Sequence, residues 1–160
     1  MELPPSLRQA VDEALNGVAL ADLSKAAAAL SERYRGEKID GTLHLASDLT
    51  AKAYLATRLP ATYAAIRDAM AKLAEMQPDF APLSLLDVGA GPGTVLWATN
   101  DLWPDLEQAV LLEASAAVRK VGETLAADAI TARTVWRTGD VTIDLADLQS
   151  ADLVTCCYVL

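Results

Sequence analysis

The chain has 160 residues, 52% of them hydrophobic, and a formal net charge of −9, so it can bury one modest core or one core with a helical appendage. The acidic balance excludes wholesale wrapping of nucleic acid, which needs clustered Lys and Arg, and the apolar runs are too short to span a bilayer. The start, MELPPSLRQAVDE, carries acids and prolines where a signal peptide has a basic end and an apolar stretch, so a cytoplasmic protein with neither a membrane nor a DNA partner is expected.

The first eighty residues read as helices. Pro4 and Pro5 suit a first turn, Leu7, Val11, Ala14 and Leu15 form an apolar stripe, and Asn16-Gly17 stops it. A second stripe uses Leu23, Ala26, Ala27, Leu30 and Tyr34 and ends at Gly36. Residues 36–44, with His44, read as a loop; a third helix follows from about Ser47 to Arg58. Pro60 opens a fourth, carrying Tyr63, Ile66, Met70 and Leu73 on one side, and Pro78 and Pro82 bracket a linker.

After Pro82 the pattern changes. SLLDV, AVLLEA, ARTVWRTGD and ADLVTCCYVL read as strands. GTVLWATNDLW and SAAVRKVGETLAADA read as the helices between the first three, and an acidic link with Asp144 and Asp147 precedes the fourth strand. Strands alternating with helices predict βαβ units and a parallel, doubly wound sheet. Cys156 and Cys157 are neighbours, which strains any disulfide between them; with His44 they make no zinc spacing, and they read as small buried hydrophobes. Trp97, Trp103 and Trp136 read as packing residues, and Tyr158 as packing at the tip of the fourth strand. The chain reaches Leu160 within or just after that strand with no following helix, so it is expected to be the front part of a longer protein.

The turn LLDVGAGPGT, residues 85–94, carries the chemistry. In a doubly wound sheet ligands bind beyond the carboxyl ends of the strands. Glycines there turn the backbone and let a ligand approach it, while the next helix offers free N–H groups to an anion. A phosphate-binding P-loop needs a lysine, and none is near; a dinucleotide turn needs GxGxxG, and here position 94 is Thr. The GxGxG spacing of Gly89, Gly91 and Gly93, with Ala90 between and Asp87 before, resembles the class I S-adenosylmethionine-dependent methyltransferases. The resemblance implies a Rossmann-like fold and a bound S-adenosylmethionine. Glu113, at the end of the second strand, would take both ribose hydroxyls, Asp140 after the third strand would touch the adenine amine, and Asp87 would sit near the methionine amino group. Glu113 suits NAD equally, since a carboxylate accepts two O–H donors from either ribose.

A closer resemblance lies in YLATRLPATYAAIRDAM, PDFAPLSLLDVGAGPGT, LLEAS and DLVTCCYVL, and covers nearly the whole chain. These stretches are similar to the bacterial relatives of the mitochondrial small-ribosomal-subunit methyltransferase-like protein. That implies an N-terminal helical region over 1–80 and the first half of an S-adenosylmethionine-binding methyltransferase domain over 81–160. It also implies association with the small ribosomal subunit or its RNA, in ribosome assembly or translation, with methylation of ribosomal RNA as one activity. A non-catalytic assembly factor and a small-molecule methyltransferase are the rival readings. The family's iron–sulfur cysteines lie in its later half; Cys156 and Cys157 do not match them, so no metal is carried over. Arg33, Arg35 and Lys38, with Arg58 and Arg67, are the basic residues that an RNA contact would use in this acidic chain.

Overall fold

The computed structural model describes residues 2–36, 47–139 and 148–158. The loop with Lys38 and His44, the stretch with Asp140, Asp144 and Asp147, and the Tyr34 side chain lie outside the described residues.

Four helices come first: α1 (Pro5–Leu15), α2 (Leu20–Arg35), α3 (Asp48–Thr57) and α4 (Leu59–Met76). Each starts where local chemistry favours it. Pro5 enters α1 at a position whose N–H would lack an acceptor anyway. Ser47 caps α3 reciprocally with Thr50: its hydroxyl accepts from the Thr50 amide at 3.2 Å, and its own amide donates to the Thr50 hydroxyl at 3.1 Å. One turn apart, Leu7 and Val11 on α1 and Leu59, Tyr63, Ile66 and Met70 on α4 are buried.

The second half alternates β1 (Ser84–Val88), α5 (Thr94–Leu102), β2 (Gln108–Glu113), α6 (Ala116–Ala126), β3 (Arg133–Thr138) and β4 (Leu153–Thr155). The sheet is parallel throughout, in the order β3-β2-β1-β4. The chain winds outward from β1 through β2 to β3, then crosses back to lay β4 on the other side of β1. The switch point of the winding is therefore the crevice between β1 and β4.

Strand alternation sorts the side chains. Leu85, Ala109 and Leu111 point into one large core with Leu96, Trp97, Val118 and Leu125 of α5 and α6. The same core takes in Leu7, Leu55, Leu59, Tyr63 and Met70 of the helical region. Tyr63 and Arg67 of α4 also grip Asp101, whose carboxylate accepts from the Tyr63 hydroxyl at 3.1 Å and the Arg67 guanidinium at 2.7 Å. On the opposite sheet face Leu86, Val88 and Leu112 form a smaller cluster with Val110, Leu148 and Ala151, while Val135 and Val154 are exposed. Among the described residues no helix is long and apolar enough to cross a membrane.

One element departs from the sequence reading. The fourth strand is three residues long instead of running through the cysteines and Tyr158. Its partner β1 leaves the ladder at Gly89, where the Gly89 and Ala90 amides both donate to the Leu112 carbonyl at 2.9 Å. That draws the chain toward β2 and leaves β4 nothing to pair with beyond Thr155. Cys156 is consequently exposed and Cys157 half-buried, not the buried hydrophobes expected, and both thiols are free. Tyr158 is exposed with φ 57° instead of capping a strand.

Candidate functional site

The turn from β1 to α5 passes through three left-handed glycines, with φ of 71° at Gly89, 56° at Gly91 and 82° at Gly93. They serve different ends. A side chain at Gly93 would stand 3.2 Å from the Trp136 ring, which packs beneath the turn. At Gly122 of α6 it would meet the same ring at 2.3 Å and the Pro92 backbone at 3.0 Å. These two glycines make room for protein. At Gly91 a Cβ would meet nothing within 4 Å, so its bare backbone borders open space.

Two carboxylates lie at this end of the sheet. Glu113, the last residue of β2, accepts from the Gly91 amide at 2.9 Å with one oxygen and from the Ser115 amide at 2.7 Å with the other. Each oxygen keeps a lone pair, so the group stays able to take two further donors. Asp87 lies one strand over on the same sheet face and is fully buried. One of its oxygens accepts from the Thr155 hydroxyl at 2.8 Å; the other is buried and has no partner among the described residues. Burial pushes its pKa up to about 7; the Thr155 hydrogen bond opposes that rise and the Glu113 charge adds to it. Cys157, beside Asp87, has its thiol pushed up by burial and then by the Asp87 charge, so it is a poor nucleophile.

The Thr94 hydroxyl, at the first residue of α5, is also buried without a hydrogen-bond partner among the described residues. No side chain caps that helix. Its first amides therefore lack acceptors and present a positive dipole end to the crevice. An open glycine backbone, an orphaned carboxylate oxygen and an orphaned hydroxyl at an uncapped helix fit a ligand with ribose hydroxyls, a cation and an anion, as S-adenosylmethionine has.

The structure thus gathers Asp87, Gly89, Ala90, Gly91, Gly93 and Glu113 around one turn; Asp140 lies outside the described residues. Trp97 and Trp103 are buried. Arg35 pairs with Glu32 and Arg67 with Asp101, so neither stands ready for a phosphate. Sequence reasoning missed Thr155, Thr94 and Gly122. Thr94 was legible within GPGT.

The chain is similar to known proteins in sequence and in fold. The family described as mitochondrial small ribosomal subunit Rsm22 matches residues 48–160. The human mitochondrial ribosome assembly protein METTL17 is 34% identical over 73 residues, 45% of this chain and 16% of that protein. The plantazolicin methyltransferase BpumL, solved in complex with SAH, is similar with a TM-score of 0.51 and 14% identity, over 94% of this chain and 49% of that one. The last likeness is one of fold: a Rossmann-like class I methyltransferase sheet. The chain spans less than half the length of either relative.

Proposed function

From the premise that this chain belongs to the mitochondrial small ribosomal subunit Rsm22 family, we propose that it forms the S-adenosylmethionine-binding part of a protein acting in small-subunit assembly. Residues 1–80 are then a helical region docked on that part, and 81–160 its nucleotide-binding half. The observation that carries the ligand reading is the open face of Gly91 between Glu113 and the unsatisfied oxygen of Asp87. Glu113 would take the ribose hydroxyls, the turn Gly89–Gly93 would lie against the nucleoside, and Asp87 would face the ligand ammonium. S-adenosylmethionine supplies, when bound, a sulfonium methyl group open to attack by a nitrogen, oxygen or carbon nucleophile.

The ribosomal part of the proposal rests on the family and on the named role of the human relative. Methylation of ribosomal RNA is the finer reading. Calorimetric titration of S-adenosylmethionine into the full-length protein tests the site. Glu113→Ala is expected to weaken binding at least tenfold, the loss of hydrogen bonds to a charged group. Equal affinity in the two proteins would remove Glu113 from the site. Co-sedimentation with small subunits, repeated with Glu113→Ala, tests the role. Loss of small-subunit RNA methylation in that variant supports an enzyme. Retained co-sedimentation with no methylation in either protein supports an assembly factor that keeps the fold as a binding module.

A further inference from the structure

We propose that the helical region completes the ligand site: Tyr54 of α3, together with Thr94, holds the carboxylate at the amino-acid end of the ligand. The inference rests on the S-adenosylmethionine reading and adds the anionic half of its recognition.

Tyr54 is half-buried on α3, which packs against α4. Its hydroxyl lies 3.4 Å from the Thr62 hydroxyl. Thr62 already sends its single proton toward the carbonyls of Arg58 and Leu59, at 3.1 and 3.0 Å. It can therefore only accept from Tyr54, at a length well beyond a good O–H···O bond. The Tyr54 proton is held loosely and its oxygen is otherwise open. The Thr94 hydroxyl lies near enough to act on the phenol without reaching hydrogen-bond geometry, and Thr94 is buried with no partner of its own. Two hydroxyls thus face each other without bonding well, beside the uncapped amides of α5.

An anion between them would satisfy all three sets of donors at once. Helix N-termini favour such a charge, and hydrogen bonds to ionised acceptors are the strong ones. The phenol stays a donor across the neutral range, because burial holds its pKa above the ordinary tyrosine value, against the opposing pull of Thr62, Thr94 and the Arg58 cation. Arg58 places positive charge near the phenol as well. Asp87 keeps a buried oxygen that has no partner among the described residues and suits a cation. The amino acid's two charges would be divided across the glycine turn, ammonium to Asp87 and carboxylate to Tyr54 and Thr94.

The test compares S-adenosylmethionine with its decarboxylated form, which keeps the adenosine, sulfonium and ammonium groups. Affinities for both are measured by calorimetry on the full-length protein and on Tyr54→Phe, Thr94→Val and Glu113→Ala. Thermal melts confirm that each variant is folded. Tyr54→Phe and Thr94→Val are expected to weaken S-adenosylmethionine about tenfold each and to leave the decarboxylated ligand unchanged. Glu113→Ala should weaken both ligands alike. Wild-type binding with no loss in folded Tyr54→Phe, or an equal loss for the two ligands, overturns this inference while leaving the site intact. Wild-type protein that binds neither ligand overturns the S-adenosylmethionine reading itself.

Discussion

Two aspartates mark the two ends of the β1–β4 pair, and their surroundings are opposites. At the amino end, exposed Asp152 is held by three donors on one oxygen. One of its oxygens accepts from the Leu83 amide at 3.0 Å, the Ser84 amide at 2.9 Å and the Ser84 hydroxyl at 2.7 Å. Its own amide returns a bond to that hydroxyl at 2.9 Å. The Ser84 hydroxyl and the two amides hold its carboxyl below the usual value. At the carboxyl end, Asp87 is fully buried with half its hydrogen-bonding capacity unused and its carboxyl pushed up to about 7. A group that only ties strands together gains from satisfaction. A group left dry and unsatisfied costs stability, and a ligand that completes it recovers that cost as affinity.

The largest expected effect breaks the carboxyl end outright. Gly91→Val places a branched side chain at φ 56° and fills the space that its bare backbone borders. S-adenosylmethionine binding should be abolished, a larger loss than one missing hydrogen bond explains. Calorimetry showing unchanged affinity would move the site elsewhere.

Next comes the pH response of Asp87. Its folded pKa, about 7, lies above the unfolded value of roughly 3.9, so the folded state binds more protons between the two. Stability is full below pH of about 4 and declines as pH rises toward 7. The loss amounts to roughly 4 kcal/mol, from about three units at 1.36 kcal/mol each. Asp87→Asn should flatten that slope in denaturant titrations. Ligand affinity in the wild type should rise over the same window, because the ammonium needs the ionised carboxylate.

Gly122→Ala sharpens the contrast between the glycines. It overpacks the Trp136 ring and presses on the Pro92 backbone, and should cost about 1–3 kcal/mol of stability, whereas Gly91→Val acts on the ligand's space. The smallest effect is expected at Asp152. Its folded pKa is depressed, so its contribution is present above the unfolded pKa and lost as pH falls through the folded one, opposite in sign to Asp87. Asp152→Ala should lower Tm slightly at neutral pH and leave binding unchanged.

Much of this was legible before the fold was known. The sequence alone determined the helix starts at Pro5 and Ser47, the strand SLLDV, the βαβ order and the left-handed glycines at 89, 91 and 93. Each rests on local causes: a ring that presets φ, a cap within one turn, an apolar run of strand length, a residue without a Cβ. The place of Glu113 at the end of the second strand was legible from the extent of that apolar run, while its role came from the family resemblance. The tertiary structure alone decided the rest. It ended β4 at Thr155, because the turn bends toward Leu112 and deserts its partner. It exposed Cys156, and it stranded one oxygen of Asp87 in the interior. It brought Tyr54, forty residues upstream, close to Thr94 at the start of α5. Pairing, burial and orphaned atoms depend on what packs across the chain, and no window of neighbouring residues contains that information.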